Sequence, residues 1–173
     1  MSKKANNTEQ NNVAIDETIV DDAEIDNSKA AIVEAPINHF TNILLSSKGL
    51  KLSPKTENHV FYEIAKHDED NQLYLRLSGN EGGGLHSKEW ILLQSVIEVL
   101  DQQFANPTAP FKSLILKPLF EGSSANNVGF LAGALRSSEL GLLKPAEKGV
   151  FLHLISDGYE ENKAKLFSLG DDQ

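Results

Sequence analysis

A chain of 173 residues is close to the size of one domain, and with no cysteine it can form no disulfide, no thiolate metal site and no thiol nucleophile. Its net charge of −9 opposes nonspecific attraction of the whole molecule to nucleic acid or membrane. No apolar run approaches the roughly 18 residues that cross a bilayer, and no apolar signal segment follows the start Met-Ser-Lys-Lys-Ala-Asn-Asn, so a cytoplasmic protein with no membrane partner is expected.

Residues 1–35 are rich in Asn, Asp, Glu and Ala and lack aromatic residues. Such a segment buries too little apolar surface to offset its ordering entropy, so a disordered acidic tail is expected. Residues 1–40 hold eight acids and three bases, whereas residues 108–155 hold three acids and five bases. The acidity therefore lies away from the one positive block, and an acidic tail could compete with a polyanion for it.

Residues 36–55 change character. Ile37, Phe40 and Leu44 recur at helical spacing between Pro36 and Gly49, which predicts a short amphipathic helix followed by a linker. Residues 56–173 are expected to form one globular domain. In 59–66, Val60, Tyr62 and Ile64 alternate with their neighbours; in 72–78, Leu73, Leu75 and Leu77 do the same. These are two strands of a hairpin, with Asp68-Glu69-Asp70-Asn71 as its turn. Gly79–Gly84 is a loop.

Ser87 is placed as an N-cap, and Trp90, Leu93, Ile97, Leu100 and Phe104 then recur three and four apart, so a helix is predicted over 87–104. A second helix is expected over 111–121, kinked or divided at Pro118. Gly122-Ser123-Ser124 is a turn, and a third helix follows over 125–140. Gly129 and Gly133, four apart, open one face of it to another backbone. Residues 142–155 form a second hairpin, and a terminal helix is expected near 160–169. The fold class is thus α+β: a β-hairpin, three packed helices and a second hairpin.

Chemical motifs are sparse. The Gly79–Gly84 loop lacks the Gly-Lys-Ser/Thr ending of a phosphate loop and carries Glu81. The Asp68/Glu69/Asp70 cluster lacks the glycine and distal glutamate of a calcium loop. His39, His59, His67, His86 and His153 show no metal spacing, and no serine sits in a nucleophile elbow. No catalytic, metal or cofactor residue is assigned, and no cofactor is expected.

The run Gly122-Ser123-Ser124-Ala125-Asn126-Asn127 into Val128–Leu135, then Leu140-Gly141-Leu142-Leu143 and Lys144-Pro145-Ala146-Glu147-Lys148-Gly149-Val150-Phe151-Leu152, resembles a winged helix-turn-helix domain over residues 87–155. In that family the third helix enters the major groove and the wing touches the backbone. The resemblance implies Asn126, Asn127, Phe130 and Arg136 on the exposed helix face, with Lys144 and Lys148 as wing contacts. A single arginine on that helix departs from the DNA-reading pattern, and many winged helices bind proteins. Three readings follow: a non-enzymatic binding or regulatory module acting through protein contacts or self-association, a DNA-binding regulator using helix 125–140 and wing 142–155, and a small enzyme with a pocket of convergent polar groups.

Overall fold

The computed structural model describes residues 37–171. The tail expected at 1–35 lies outside the described residues. Strands β1 (Asn42–Leu50), β2 (His59–Lys66), β3 (Leu73–Asn80) and β4 (Ile91–Leu92) form an antiparallel sheet in that order. Helix α1 (Leu93–Phe104) follows, then β5 (Phe111–Lys112), a 3-10 helix (Ser113–Leu119) and helix α2 (Asn127–Leu135). Strands β6 (Leu143–Ala146) and β7 (Gly149–Ile155) build a second antiparallel sheet in the order β5-β7-β6, and α3 (Tyr159–Ser168) ends the described chain. The class is α+β.

The clean alternation in 59–66 and 73–78 has a direct outcome. Val60, Tyr62, Ile64, Leu75 and Leu77 all point inward and join one core with Leu93, Val96, Ile97 and Leu100 of α1 and Leu131 and Leu135 of α2. Their neighbours point outward, where Glu63 and Arg76 sit directly opposite each other and pair at 2.7 Å. The acids at the hairpin tip cap local groups instead of gathering round a cation: Asp68 accepts from Thr41 Oγ1 at 2.9 Å, and Asp70 from Gln72 N at 2.8 Å.

Four predicted helices differ, the first three as follows. Residues 42–50 form an edge strand, not part of a 37–48 helix. Ile43 and Leu45 fit a strand as well as a helix, and eight residues of pairing with β2 decide between them. The helix expected from Ser87 begins at Leu93. Ser87 Oγ accepts from Glu89 N at 3.3 Å within an extended segment, and Ile91 and Leu92 pair with β3. Trp90 is thereby turned to the outer sheet face, between the Phe40 ring at 4.3 Å and the Arg76 guanidinium at 4.4 Å. The segment 111–121 becomes a two-residue strand and a 3-10 helix. Pro118 removes a backbone donor, and its ring disfavours an α-helical turn before it.

Helix α2 is shorter than 125–140 and is buried on more than one side. Gly133 lies against the end of β1, where a Cβ on it would sit 2.7 Å from the Leu50 carbonyl oxygen. A Cβ on Gly49 would in turn overlap the Gly133 carbonyl. Tyr62 Oη and Ser137 Oγ, 2.6 Å apart, tie β2 to the residues after the helix.

Gly133→Ala is therefore expected to destabilise the fold by about 1–3 kcal/mol, because the obstructing atoms are backbone. Gly129→Ala, on the same helix with open space at its Cβ position, should be neutral or stabilising by about 0.5–1 kcal/mol. Chemical denaturation of both variants tests the pair; equal losses would show that the close approach of α2 and β1 does not control stability.

Candidate functional site

The Gly-rich loop is built to hold a positive charge. Gly82, Gly83 and Gly84 have φ of 66°, 78° and 108°, a run of left-handed backbone that side-chain-bearing residues resist. This turn aims carbonyl oxygens inward. Lys51 Nζ donates to Asn80 Oδ1 at 2.6 Å, to Gly83 O at 2.9 Å and to Glu81 O, and it lies 4.7 Å from the centre of the Phe130 ring. An ammonium has three donors, and here each finds an acceptor. The loop thus presents oxygens to a cation from its own chain, where a phosphate loop would present amides to an anion.

Beyond the cage the same loop covers the start of α2. Leu85 O accepts from Ser124 Oγ at 2.6 Å and from Asn126 Nδ2 at 2.9 Å. Asn127, 1% exposed, accepts from Ser87 N at 2.9 Å and donates to Gly122 O at 3.1 Å.

At the far end of α2, Arg136 is turned toward the wing. Its Nη1 and Nη2 donate to Val150 O at 3.0 Å and Leu152 O at 2.6 Å. This clamp fixes β7 against the helix and sets the second wall of a groove of ≈ 760 Å³. The first wall is the segment from Ser47 to His59, with Leu50, Leu52 and Pro54 as its apolar strip; the second is Arg136–Ser138 with Pro145 and Val150. His59, at the end of the first wall, donates from its N at 2.7 Å and its Nδ1 at 2.9 Å to Glu81 Oε2. The bonds to His59 hold the Glu81 carboxyl below its ordinary pKa. They also orient the ring, with Nδ1 as the donor to the carboxylate.

A second imidazole is buried behind the wing. His153 is fully buried, and its Nε2 lies 2.8 Å from Ser113 Oγ. Its Nδ1 has no partner among the described residues. A serine–histidine pair without a carboxylate on Nδ1 lacks the group that would orient and charge-stabilise a catalytic base. Burial, and then the nearby Arg136 charge, push the His153 pKa down to about 4. No group of three or more His, Asp or Glu among the described residues could hold a metal ion, and none of their helices is long and apolar enough to cross a membrane.

Of the six residues expected as partner contacts, five have their functional groups engaged within the chain. Asn126, Asn127 and Arg136 are hydrogen-bonded as above, and Phe130 lies beneath Lys51 and against the His86 ring at 5.8 Å. Lys144 pairs with Asp157 at 2.5 Å. Lys148 stands exposed in the β6–β7 turn. Lys51 went unnoticed in the sequence, and His59 and Glu81 were named there without being linked to it or to each other, because nothing local joins positions 51, 59 and 80–83. The partial signals were three successive glycines and a β1 end rich in lysine.

Lys51→Met should leave three oxygens without their donor and cost about 1–3 kcal/mol. Lys51→Arg should restore little, since a planar fork does not fill a compact cage. Amide exchange at Gly82–Gly84 should quicken in both; unchanged exchange would mean that the ammonium does not hold the loop. For His153, the folded pKa lies below the unfolded value of about 6.5. Its contribution is therefore complete above pH 6.5 and is lost as pH falls toward 4, to an upper bound of about 3 kcal/mol. His153→Gln should flatten the stability profile between pH 6.5 and 5, a window above the range in which carboxylates titrate. A slope equal to that of the wild type would reject this assignment. No protein-family model matches the chain, and no curated protein or solved structure matches it either.

Proposed function

We propose that the chain is a non-enzymatic binding module, built on a winged helix-turn-helix core over residues 93–155, that acts through protein contacts at the groove between β1 and the wing. The order of α1, the 3-10 helix, a turn, α2 and the β6–β7 hairpin supports the winged core. So does β5, which joins that hairpin and links α1 to the wing through one sheet.

One observation favours protein over DNA as the partner. The helix that would enter a major groove is covered by its own chain, at its start by the Gly79–Gly84 loop and near its end by Leu50. In place of that helix, the groove walls offer Leu50 at 59% and Val150 at 39% exposure, and Phe151, next to Val150 in the wing but outside the groove lining, is 58% exposed. Large apolar side chains at a hairpin tip beside a cleft are what a protein interface uses as anchors. The DNA reading draws its support from the exposed Lys112, Lys117 and Lys148, and one experiment separates the two.

A benzophenone side chain at position 151 or 50 of the full chain is expected to crosslink to protein on illumination in cells, and one at exposed Glu160, on α3, is not. Duplex DNA at about 50 mM salt should show no retarded complex, a condition under which phosphate contacts are strong. Crosslinking of position 151 to DNA, with affinity falling steeply as salt rises, would transfer the assignment to the DNA reading.

A further inference from the structure

The unpaired edge of β1 specifies the form of a partner, in an inference that rests on the protein-binding reading above. We propose that this edge takes up an extended, carboxylate-bearing segment of a partner protein as a fifth strand of the first sheet.

β1 is the outermost strand of its sheet, so one of its edges pairs with β2 and the other is open. An antiparallel ladder forms its bonds at alternate residues. Lys51 N donates to Asn58 O at 2.9 Å, in the register that pairs Leu50 with His59, so Gly49 and Ser47 also turn their backbone groups toward β2. Ser46 and Lys48 therefore turn theirs away from it. Both residues are exposed, and no hydrogen bond reaches these outward groups from another described residue. Leu50, next in the series, has its carbonyl against Gly133 of α2. The N–H and C=O groups of Ser46 and Lys48 thus stand in one line, the pattern that an added strand satisfies.

The groove continues from this edge. It is lined by Ser47–Leu50 and, of β2, by His59 alone, so it lies on the side of β1 away from β2. Its second wall, at Arg136–Ser138, means that a strand laid along this end of β1 runs between two walls. A lone extended segment can do so; a strand carrying the rest of its own sheet would meet the second wall. Charge defines the segment further. The groove is lined by Lys48, Lys51 and Arg136 against Glu57. Lys51 and Arg136 bond only uncharged oxygens, which leave their charges uncancelled. With Glu81 counted beside His59, the cations still exceed the acids. On a chain of net charge −9 that local excess favours a segment with carboxylates.

The probe is a random decapeptide library displayed on phage and selected on the full chain. Selected peptides should be rich in Asp or Glu and in strand-forming residues. A synthetic peptide from that set, scanned by N-methylation, should lose affinity by about tenfold or more at every second residue and little between them, because an added strand bonds β1 through alternate amides. Ser46→Pro removes an outward N–H and no ladder bond, so the chain should keep its circular dichroism spectrum and bind the peptide about tenfold more weakly. Lys48→Glu should weaken it similarly, and Lys48→Arg should not. A library that yields no peptide, affinity indifferent to the position of the N-methyl group, or full affinity in the Lys48→Glu chain overturns the inference. So does a homodimer in sedimentation velocity that Ser46→Pro abolishes, since the edge then serves a second copy. The benzophenone at position 50 separates this failure from that of the groove reading. An adduct with a different protein that is lost in the Ser46→Pro chain supports the inference, and one that forms equally there overturns it but keeps the groove reading. No adduct at position 50 or 151 removes both.

Discussion

The approach of Gly133 to Leu50 brings two backbones into contact where side chains ordinarily stand between a helix and a sheet. Because neither Gly133 nor Gly49 carries a Cβ, the end of β1 lies on α2 itself. From that position the next residue, Lys51, reaches over Phe130. Its ammonium then gathers the oxygens of residues 80–83, and the curl of that loop delivers the Leu85 carbonyl to Asn126. The cage, the cover over α2 and the first wall of the groove are successive consequences of one close contact. Each depends on the step before it, so a bulky residue at 133 would displace all three.

At the other end of α2 the controlling group is Arg136. A guanidinium that donates to two wing carbonyls holds β7 at a fixed distance from the helix. That rigid wall is what makes a groove of two neighbouring but separate elements. It also sets the environment of His153, which faces burial and a nearby positive charge together. Both act against protonation, so the imidazole remains a neutral partner for Ser113 at ordinary pH. The wing is thus secured by a charged clamp on one side and a neutral polar pair on the other.

Much of the fold could be read from the sequence, and the parts that could not share a cause. The β2–β3 hairpin, the body of α1, the β6–β7 hairpin and α3 follow from local periodicity and turn residues, because each buries the face its own pattern defines. Residues 42–50 and 87–92 do not. Their apolar residues fit two periods, and pairing with β2 and β3 selects the extended one. The same limit hid the candidate site. Gly129 and Gly133 marked a face open to close approach, but only the three-dimensional fold shows that β1 fills it at Gly133. Lys51 looked like any surface lysine, because its acceptors lie about thirty positions away along the chain.

Formal charge misdirects in such a molecule, because most of the informative charges are already used. The 108–155 block has a positive balance, which is the feature that suggests a polyanion. Yet Arg136 serves the wing, and Lys144 serves Asp157. What remains on that block for a partner is Lys112, Lys117 and Lys148, offset by Glu121, Glu139 and Glu147. With Lys144 paired, those three lysines and three glutamates cancel, and the block's surplus is the single charge of Arg136, which bonds two uncharged carbonyls. One surplus charge gives little attraction for a polyanion, whose binding takes several cations set against its phosphates.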